Sequence, residues 1–251
     1  MIACKKIVRI ILLIIIGCLI SAIAYGQKVN TLTPKEKQNG WKLLFNGKNL
    51  DGWHSYLEHS PGKDWSVQHH AIMLKKPNGS RPADYADLTT NQEYKNFDLK
   101  LEWKMKPCVD SGVMFYVHES PKYKQTYETG PEMQIADLGC TKPDSRVLKE
   151  RAGDLFALIP VDTVQVKHAG KWNHYEIIAN HGHLQFFNNG HKILDTHLWD
   201  RHWRQLIAHS KFKNWPNFGT FRKGHISLQG TEHKGKSKIK IWFRNIRIKR
   251  L

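Results

Sequence analysis

Two short stretches of this chain, residues 110–118 and 131–137, carry side chains suited to proton transfer and to the binding of hydroxyl groups. These side chains are Asp110, Tyr116, His118, Glu132 and Gln134. Carboxylates and imidazoles exchange protons near neutral pH, whereas amides and phenols hydrogen-bond to hydroxyls. The polar positions recur at every second residue, so they share one face if the two stretches form paired strands. Such a face is typical of the floor of a ligand groove, and the alternative is an ordinary solvated sheet face.

The strands that would position these side chains are predicted to pair antiparallel, with Ser111 opposite Asp137. That register places Val113 opposite Ile135, so the other face of the ribbon is apolar and faces a core. It also brings Cys108 opposite Cys140, where an oxidising compartment would permit a disulfide bond. The alternative for the two cysteines is a pair of buried thiols.

The remainder of the chain has turn signals at short intervals, a pattern typical of short strands. Residues 97–105 alternate apolar and polar side chains, which predicts a half-buried strand. Asn189-Gly190 predicts a tight hairpin turn, and residues 198–208 are the one segment with the periodicity of a modest helix. The apolar parity changes near Asn245, where a β-bulge would restore a continuous apolar face, burial on both faces being the alternative. These features predict an all-β fold, a two-sheet β-sandwich or jelly roll.

The N-terminal stretch predicts export. Residues 1–26 begin with basic residues, continue as an apolar run and end among small residues, the pattern of a cleaved signal peptide. Acylation at Cys18, as in a lipoprotein, and an uncleaved membrane anchor are the alternatives. Residues 27–39 are predicted to be a linker, and residues 40–251 a single domain. We therefore expect a periplasmic or extracellular protein with no stable membrane insertion after processing.

The charge distribution indicates which kinds of molecule the protein could bind. The chain has a formal net charge of +17, and residues 201–251 hold fourteen Lys or Arg against one acid. Such a field favours anionic partners, for example sulfated or uronic-acid glycans, although a basic surface with no specific partner is the alternative. Nucleic acid is not expected for an exported protein.

The motifs of several enzyme classes are absent from the sequence. There is no glycine-rich phosphate loop, no CxxC pair and no Gly-x-Ser-x-Gly elbow. The fifteen histidines lack the spacing of a metal-binding motif, so we expect no cofactor and no metal site, a bound metal ion being the alternative. Trp53 or Trp215, if exposed, could stack on a sugar ring.

An ordered series of motifs from residue 40 to 251 carries a family resemblance. It comprises Leu44-Phe45-Asn46-Gly47 with Leu50-Asp51-Gly52-Trp53, Asp110-Ser111-Gly112-Val113, Gly130-Pro131-Glu132-Met133-Gln134, Arg151-Ala152-Gly153-Asp154-Leu155, Ile226-Ser227-Leu228-Gln229 and Trp242-Phe243-Arg244-Asn245-Ile246. This series resembles the 3-keto-disaccharide hydrolase domain family. Departures from the family pattern occur at His69-His70, at Asp110 where asparagine is common, and at residues 230–233.

The resemblance implies a concanavalin A-like sandwich that cleaves glycosides already oxidised to a ketone at C3. Such a ketone acidifies the C2 hydrogen, so that a base can remove it and the C1 oxygen can leave by β-elimination, with later addition of water. On this basis Glu132 is the candidate base and His118 the candidate acid. The candidate substrate-binding residues are Asp110, Tyr116, Gln134, Lys211, Gln229 and Arg244. The alternative from a different class is a non-catalytic carbohydrate-binding module, since sandwich lectins share this architecture.

Overall fold

The structure is a computed structural model that describes residues 28–76, 80–140, 147–230 and 239–251. The predicted export signal, including Cys18, lies outside the described residues. Within the ranges that are described, no helix is long and apolar enough to cross a membrane.

Short strands dominate the described chain, as the turn signals predict. The strands are β1 Lys42–Leu43, β2 Trp53–Ser55, β3 Trp65–Gln68, β4 Ala71–Lys76, β5 Leu88–Thr90, β6 Phe97–Met105, β7 Asp110–Val117, β8 Glu132–Ala136, β9 Asn173–Asn180, β10 His183–Asn188, β11 His191–His197, β12 His225–Leu228 and β13 Ile239–Arg250. The helices are α1 Pro34–Gln38, α2 Pro82–Tyr85 and α3 Arg201–Ala208, with a 3₁₀ turn at Thr126–Glu128.

The strands form two antiparallel sheets that pack face to face. The larger sheet has the order β11-β10-β9-β6-β13-β4-β3, with β1 paired to β13, and the smaller has the order β2-β5-β12-β7-β8. The apolar parity of β6 is buried as predicted, and Phe97, Leu99 and Trp103 are no more than 1% exposed. Val113 and Met133 bring the inner face of the smaller sheet to the same core. The predicted all-β sandwich is confirmed.

The register of β7 and β8 differs from the prediction by two residues. Ser111 pairs with Ile135, and Asp110 pairs with Ala136. A shift of two preserves the alternation of side chains, so Met133 and Ile135 still face the core and Glu132 still faces the other way.

The prediction that Tyr116 shares the face of Glu132 is wrong. The pairing of β7 with β12 shifts register just before Val117, and Tyr116 takes a left-handed backbone conformation with φ of 55°. This bulge turns the ring inward, where it packs against Phe97 and Trp199. Its hydroxyl donates a hydrogen bond to the carbonyl of Lys95 at 2.6 Å, so the ring belongs to the core.

Three other local predictions are confirmed. Asn189 and Gly190 both have positive φ and join β10 to β11, as a tight hairpin turn requires. The predicted modest helix is α3, which begins three residues later than expected. The register of β13 against β6 shifts between Arg244 and Arg247, and Asn245 has a φ of 52°, which is the predicted bulge.

Residues 28–39, within the predicted linker, dock onto this bulge. The backbone N–H of Asn30 donates to Asn245 Oδ1 at 2.6 Å, and the N–H of Asn245 donates to Asn30 Oδ1 at 2.8 Å. Helix α1 follows, and Thr33 caps its N-terminus in a capping box with Glu36. The segment before the domain is thus held by specific hydrogen bonds.

The outer edge of β8 is occupied by an irregular segment that follows it in the chain. Gln134 N–H donates to the carbonyl of Asp154 at 3.0 Å, and Gly153 N–H donates back to the carbonyl of Gln134 at 2.8 Å. Phe156 N–H donates to the carbonyl of Glu132 at 3.0 Å. Residues 153–156 therefore act as a partial extra strand beside the one that carries Glu132.

Cys108 and Cys140 lie within bridging distance, as predicted, and of the two alternatives the structure shows a disulfide bond, with their Cα atoms 5.0 Å apart. Both residues lie beyond the last pair of the β7–β8 ladder, so the two-residue shift of register does not separate them. Asp137 holds this end of the ribbon, because its carboxylate accepts hydrogen bonds from the N–H groups of Cys108 and Gly139.

Removing this disulfide by Cys108→Ser with Cys140→Ser is expected to lower the free energy of unfolding by about 2–4 kcal/mol. The crosslink restricts the unfolded chain across a separation of 32 residues. Urea unfolding monitored by tryptophan fluorescence measures the change, and wild-type protein in excess dithiothreitol should unfold at the midpoint of the double variant. Equal midpoints for oxidised wild type and the variant would contradict the expectation.

Candidate active site

A cavity of about 600 Å³ opens on the outer face of the smaller sheet, within the range usual for small-molecule sites. Its floor comes from β7, β8 and the residues after β12. Its walls come from residues 56–58, the region of α2, residues 124–127 and residues 150–156. The lining includes Asp110, Gln134, Gln229, Asp87, Tyr56, Tyr127, Glu150 and Phe156.

Glu132, at the start of β8, is not itself among the residues that line the cavity, but it lies two residues from Gln134, which is. The Glu132 side chain packs across the strand pair onto Gly112, so closely that a Cβ atom at residue 112 would sit 1.7 Å from Oε1. The residue is only 3% exposed, so the face predicted to be wet is covered at this position. Glu132 Oε1 has no hydrogen-bond partner among the described residues.

The environment of Glu132 favours its protonated form. Burial is the main cause that raises the pKa of Glu132 well above its ordinary value, and the negative charges of Asp87 and Asp110 raise it further. The positive charge of Lys211 acts in the opposite direction. A buried carboxylate with a raised pKa and no hydrogen-bond donor is a stronger base than an exposed glutamate once it is ionised.

Lys211 reaches the same region from the loop after α3. Its Nζ lies 3.8 Å from the centre of the Phe156 ring, and Phe156 lines the cavity. Burial lowers the pKa of Lys211, while the carboxylates of Glu150 and Glu132 raise it in part. The charges of Lys211 and Glu132 therefore act on each other, and the lysine cation is held against an aromatic ring.

The amides of the floor are positioned by the sheet itself. Gln134 is two residues from Glu132 on β8, and it is held by the hydrogen bonds that its backbone makes with residues 153 and 154. Gln229 follows β12, where its N–H donates to the carbonyl of Gly112 at 2.9 Å. The carbonyl of Gln229 accepts a hydrogen bond from Ser111 Oγ at 2.8 Å. With Asp110, these two side chains line one surface of the cavity.

Asp87 was not identified from the sequence, although it immediately precedes β5. Its carboxylate accepts hydrogen bonds from Thr126 Oγ1 and from the N–H of Gly230. It thereby ties two walls of the cavity to the sheet and places a negative charge near Glu132. Phe156 and Glu150 were also missed, and the signal for them was their position beside the Arg151–Leu155 motif.

Three of the predicted site residues do not meet Glu132. Tyr116 is in the core, as described above. His118 follows β7 and stacks on Phe221, with ring centres 4.2 Å apart, and it does not line the cavity. Arg244 lies in the other sheet, where its Nε donates to Glu102 at 2.7 Å and its guanidinium covers Trp172.

Of the two candidate sugar platforms, Trp53 is excluded by burial. It is 3% exposed, and its indole N–H donates to the carbonyl of Leu44 at 2.7 Å. Trp215 is partly buried and stacks on Tyr127, with ring centres 5.6 Å apart. Since Tyr127 lines the cavity, Trp215 supports an aromatic wall rather than forming one.

Comparison with known proteins gives a consistent picture. Residues 40–249 match the profile of the 3-keto-alpha-glucoside-1,2-lyase-like domain. A 3-keto-disaccharide hydrolase from Bacteroides thetaiotaomicron is 28% identical over 233 residues, covering 84% of this chain and 78% of that protein.

Two solved structures from Parabacteroides distasonis, both of presumed glycosyl hydrolases, share the fold. The first is 29% identical with a TM-score of 0.76, covering 89% of this chain and 100% of the other. The second is 26% identical with a TM-score of 0.62, covering 85% of this chain and 100% of the other.

Proposed function

Because the chain belongs to the 3-keto-alpha-glucoside-1,2-lyase-like domain family, we propose that it cleaves the glycosidic bond of 3-keto-glycosides or 3-keto-disaccharides. The observation that carries this proposal is the carboxylate of Glu132. It is buried, it lies two residues from the cavity-lining Gln134 on the same strand, and its Oε1 receives no hydrogen bond from the part of the chain that the structure describes. The names of the relatives support a carbohydrate substrate.

The proposed reaction is an elimination followed by addition of water. Glu132 takes the proton from C2, and the electron pair of that C–H bond forms an enolate with the C3 ketone. The enolate then re-forms the ketone while a double bond forms between C1 and C2, and the C1 oxygen leaves with a proton from water in the cavity. Addition of water across the C1–C2 bond completes a net hydrolysis without an oxidant or a reductant.

Lys211 and the floor amides have roles that follow from their positions. A cation near Glu132 lowers the energy of the enolate, which carries negative charge on the C3 oxygen. Gln134, Gln229 and Asp110 offer hydrogen-bonding groups to sugar hydroxyls across the floor. His118 and Arg244 are given no role in this reaction, because the structure places them elsewhere.

The charges of the cavity bear on the sugar that binds there. Among the lining residues are five carboxylates, Glu58, Asp87, Asp110, Asp137 and Glu150, and one lysine, Lys124. A uronic acid or a sulfated ring would meet repulsion from this set. We therefore propose a neutral sugar in the cavity, and we assign any attraction to anionic glycans to the basic surface outside it.

The experiment that tests this function is incubation of purified protein with a 3-keto-disaccharide, beside the unoxidised parent disaccharide as the matched control. The expected result is cleavage of the keto sugar but not of the parent disaccharide, with the products detected by chromatography. An enzyme of this kind should also exchange the C2 hydrogen with deuterated water. Saturable binding of both sugars with no cleavage would instead identify a non-catalytic carbohydrate-binding module.

The pH dependence of turnover should report the raised pKa of Glu132. A base acts only when it is ionised, so kcat/KM is expected to fall on the acid side with a midpoint well above 4.5, the ordinary value for a glutamate. Asp110→Asn removes one of the charges that raise this pKa, so the midpoint should move to lower pH in that variant. A midpoint near 4.5 in the wild type would contradict the assignment.

A further inference from the structure

A second cavity, of about 350 Å³, opens on the outer face of the larger sheet and takes no part in the proposed reaction. Strands β6, β9 and β13 provide its floor, and the turn at Asn189-Gly190 and the bulge at Asn245 contribute to its lining. On β6, Leu99 and Trp103 face the core between the two sheets, so the alternate residues of that strand point away from the core. The second cavity is therefore on the opposite side of the sandwich from the candidate active site.

Charged side chains cross this floor in two rows, each with one residue from β9, one from β6 and one from β13. The strand pairing gives the rows Glu176-Lys100-Arg247 and His174-Glu102-Arg244. Neighbours in such a row share a face of the sheet and lie within reach of one another. All of these residues except Arg244 line the cavity, and Lys167 joins them from the loop before β9.

The two carboxylates of these rows are neutralised within the protein. Glu102 Oε2 accepts a hydrogen bond from Arg244 Nε at 2.7 Å, and Glu102 Oε1 accepts one from Asn245 Nδ2 at 2.6 Å. Glu176 Oε1 lies 3.3 Å from Lys100 Nζ. Since both acids already have partners, the groups that the cavity offers to a ligand are mainly N–H donors.

Two of the lining cations keep N–H groups that these contacts do not use. Lysine carries three N–H donors and arginine five, whereas Lys100 meets one carboxylate and Arg247 Nε lies 3.0 Å from Glu36 Oε1. Both cations lie over Trp41, with its ring centre 5.0 Å from Lys100 Nζ and 6.0 Å from Arg247 Cζ. An aromatic ring attracts a cation through its face, so Trp41 orients both side chains and leaves their remaining donors for a ligand.

Lys167 is positioned by its backbone. Its N–H donates to Asn173 Oδ1 at 2.8 Å, and its carbonyl accepts from Asn173 Nδ2 at 3.0 Å. Asn173 is fully buried at the start of β9, so this anchor ties the loop to the sheet. The anchor does not involve the lysine side chain, which lines the cavity.

The positive charges of the cavity converge on His174, whose side chain is 57% exposed. Partial burial lowers the pKa of His174, the Glu102 carboxylate raises it, and the cations of Lys167, Arg247 and Arg244 lower it further. Three cations from a loop and a strand thus act on one accessible imidazole. An anion bound among them would offset their effect on the ring.

From this arrangement we propose that the outer face of the larger sheet is a second, non-catalytic binding site for an acidic polysaccharide that carries sulfate or carboxylate groups. Lysine and arginine bind such groups through charge-assisted hydrogen bonds. Phe187, which is partly buried in the lining, offers an apolar surface to a sugar ring. The volume is at the small end of the range for small-molecule sites, so it suits one charged ring of a longer chain.

The two cavities then bind different glycans. The candidate active site is lined by five carboxylates and one lysine, which disfavour an acidic ring, whereas the second cavity offers cationic donors. Because the cavities lie on opposite outer faces, a polymer held by the larger sheet does not cover the candidate active site. The proposal stands on the second cavity alone and does not depend on the chemistry assigned to Glu132.

Binding of dextran sulfate tests the site, with unmodified dextran as the matched neutral control. We expect saturable binding of dextran sulfate by calorimetry, weakening steeply as salt is added, and no binding of dextran. Polygalacturonate carries carboxylates without sulfate, so binding of one or both acidic polymers identifies the anionic group that the site takes. Binding should also raise the pKa of His174, followed by NMR of its ring protons, because the anion offsets the surrounding cations.

Lys167→Gln distinguishes a defined site from a general basic surface. Loss of a charge-assisted hydrogen bond should weaken the binding of dextran sulfate by about tenfold. The matched control is Lys171→Gln, which removes the same charge from the same loop but outside the cavity lining, and which should bind like the wild type. Both variants should keep the wild-type melting temperature.

Equal losses in the Lys167 and Lys171 variants would assign the affinity to the overall positive charge of the chain and overturn the proposal. So would the absence of binding to both acidic polymers, or a pKa of His174 that does not change on binding. Tighter binding of double-stranded DNA than of dextran sulfate at equal salt would indicate a nucleic-acid surface instead. None of these measurements involves turnover, so a failure of the proposed reaction is distinguishable from a failure of this site.

Discussion

Glu132→Gln is expected to lower turnover of a 3-keto-disaccharide by at least about a hundredfold, with little change in substrate binding. Glutamine keeps the size and shape of the side chain but cannot accept the C2 proton, and general-base assistance is typically worth about 10²–10⁴ in rate. Steady-state kinetics with the keto sugar measure the loss. Exchange of the C2 hydrogen with deuterated water should disappear in parallel, because it depends on the same proton transfer.

Stability measurements separate this loss from a damaged fold. The folded-state pKa of Glu132 is raised, so this residue contributes stability below its unfolded pKa, which is lost as the pH rises through the folded value. Above that pH the wild type carries a buried charge, whereas the neutral amide of the Glu132→Gln variant does not. The variant should therefore be at least as stable as the wild type at neutral pH, and the difference should vanish in acid.

The matched controls are His118→Gln and Arg244→Gln, two positions that the sequence suggested but the structure places away from the cavity. Both should retain near wild-type turnover. Exchange and cleavage at near wild-type rates in the Glu132 variant would assign the base to another residue, with Asp110 as the next candidate on the same floor.

Gly112→Ala is expected to abolish activity as completely as Glu132→Gln, without touching any group that reacts. The added methyl would sit 1.7 Å from Glu132 Oε1 and 2.5 Å from its Cδ. All three atoms nearest to the added methyl belong to the Glu132 side chain, so the carboxylate must leave its place. Overpacking of this kind also costs about 1–3 kcal/mol of stability, which urea unfolding would measure beside the kinetics.

Two variants test that explanation. Gly139→Ala lies at the other end of the ribbon, where a new Cβ would be 3.4 Å from Asp137 Oδ1, an ordinary contact; it should remain active. Gly112→Ala combined with Glu132→Ala should recover the stability lost in the single glycine variant and stay inactive, because the clash and the base disappear together. Normal kinetics for Gly112→Ala alone would show that Glu132 need not hold its observed position.

The alternation of side chains predicted much of this site because it is a local property. Met133 and Ile135 are apolar, so burial alone sends them to the core and Glu132 to the other face. This holds even though the register was misplaced by two residues, since only an odd shift exchanges the faces. The cysteine pair was predicted from the misplaced register, and the two residues still meet because both lie beyond the last pair of the β7–β8 ladder.

The wrong predictions of site residues share a physical origin. Each depends on a structural feature that the alternation of side chains along a strand cannot describe. Tyr116 lies inside a bulge, where one left-handed residue reverses the facing of its side chain. Arg244 was assigned to the site because it is basic, but its partner Glu102 is 142 positions away in the chain. The cavity near Glu132 is walled by residues 124–127 and 150–156, loops whose paths are set by tertiary contacts such as that of Thr126 with Asp87.

The segment that runs beside β8 has a consequence for behaviour in solution. An open sheet edge offers a row of free backbone donors and acceptors, and such rows recruit strands from other molecules into aggregates. On that side the N–H of Gln134 and the carbonyls of Glu132 and Gln134 are already engaged by residues 153–156. The strand that holds the proposed base is therefore shielded from strand addition, and the protein can keep a reactive, strongly β-forming sequence at the border of its smaller sheet without that border becoming a template for self-association.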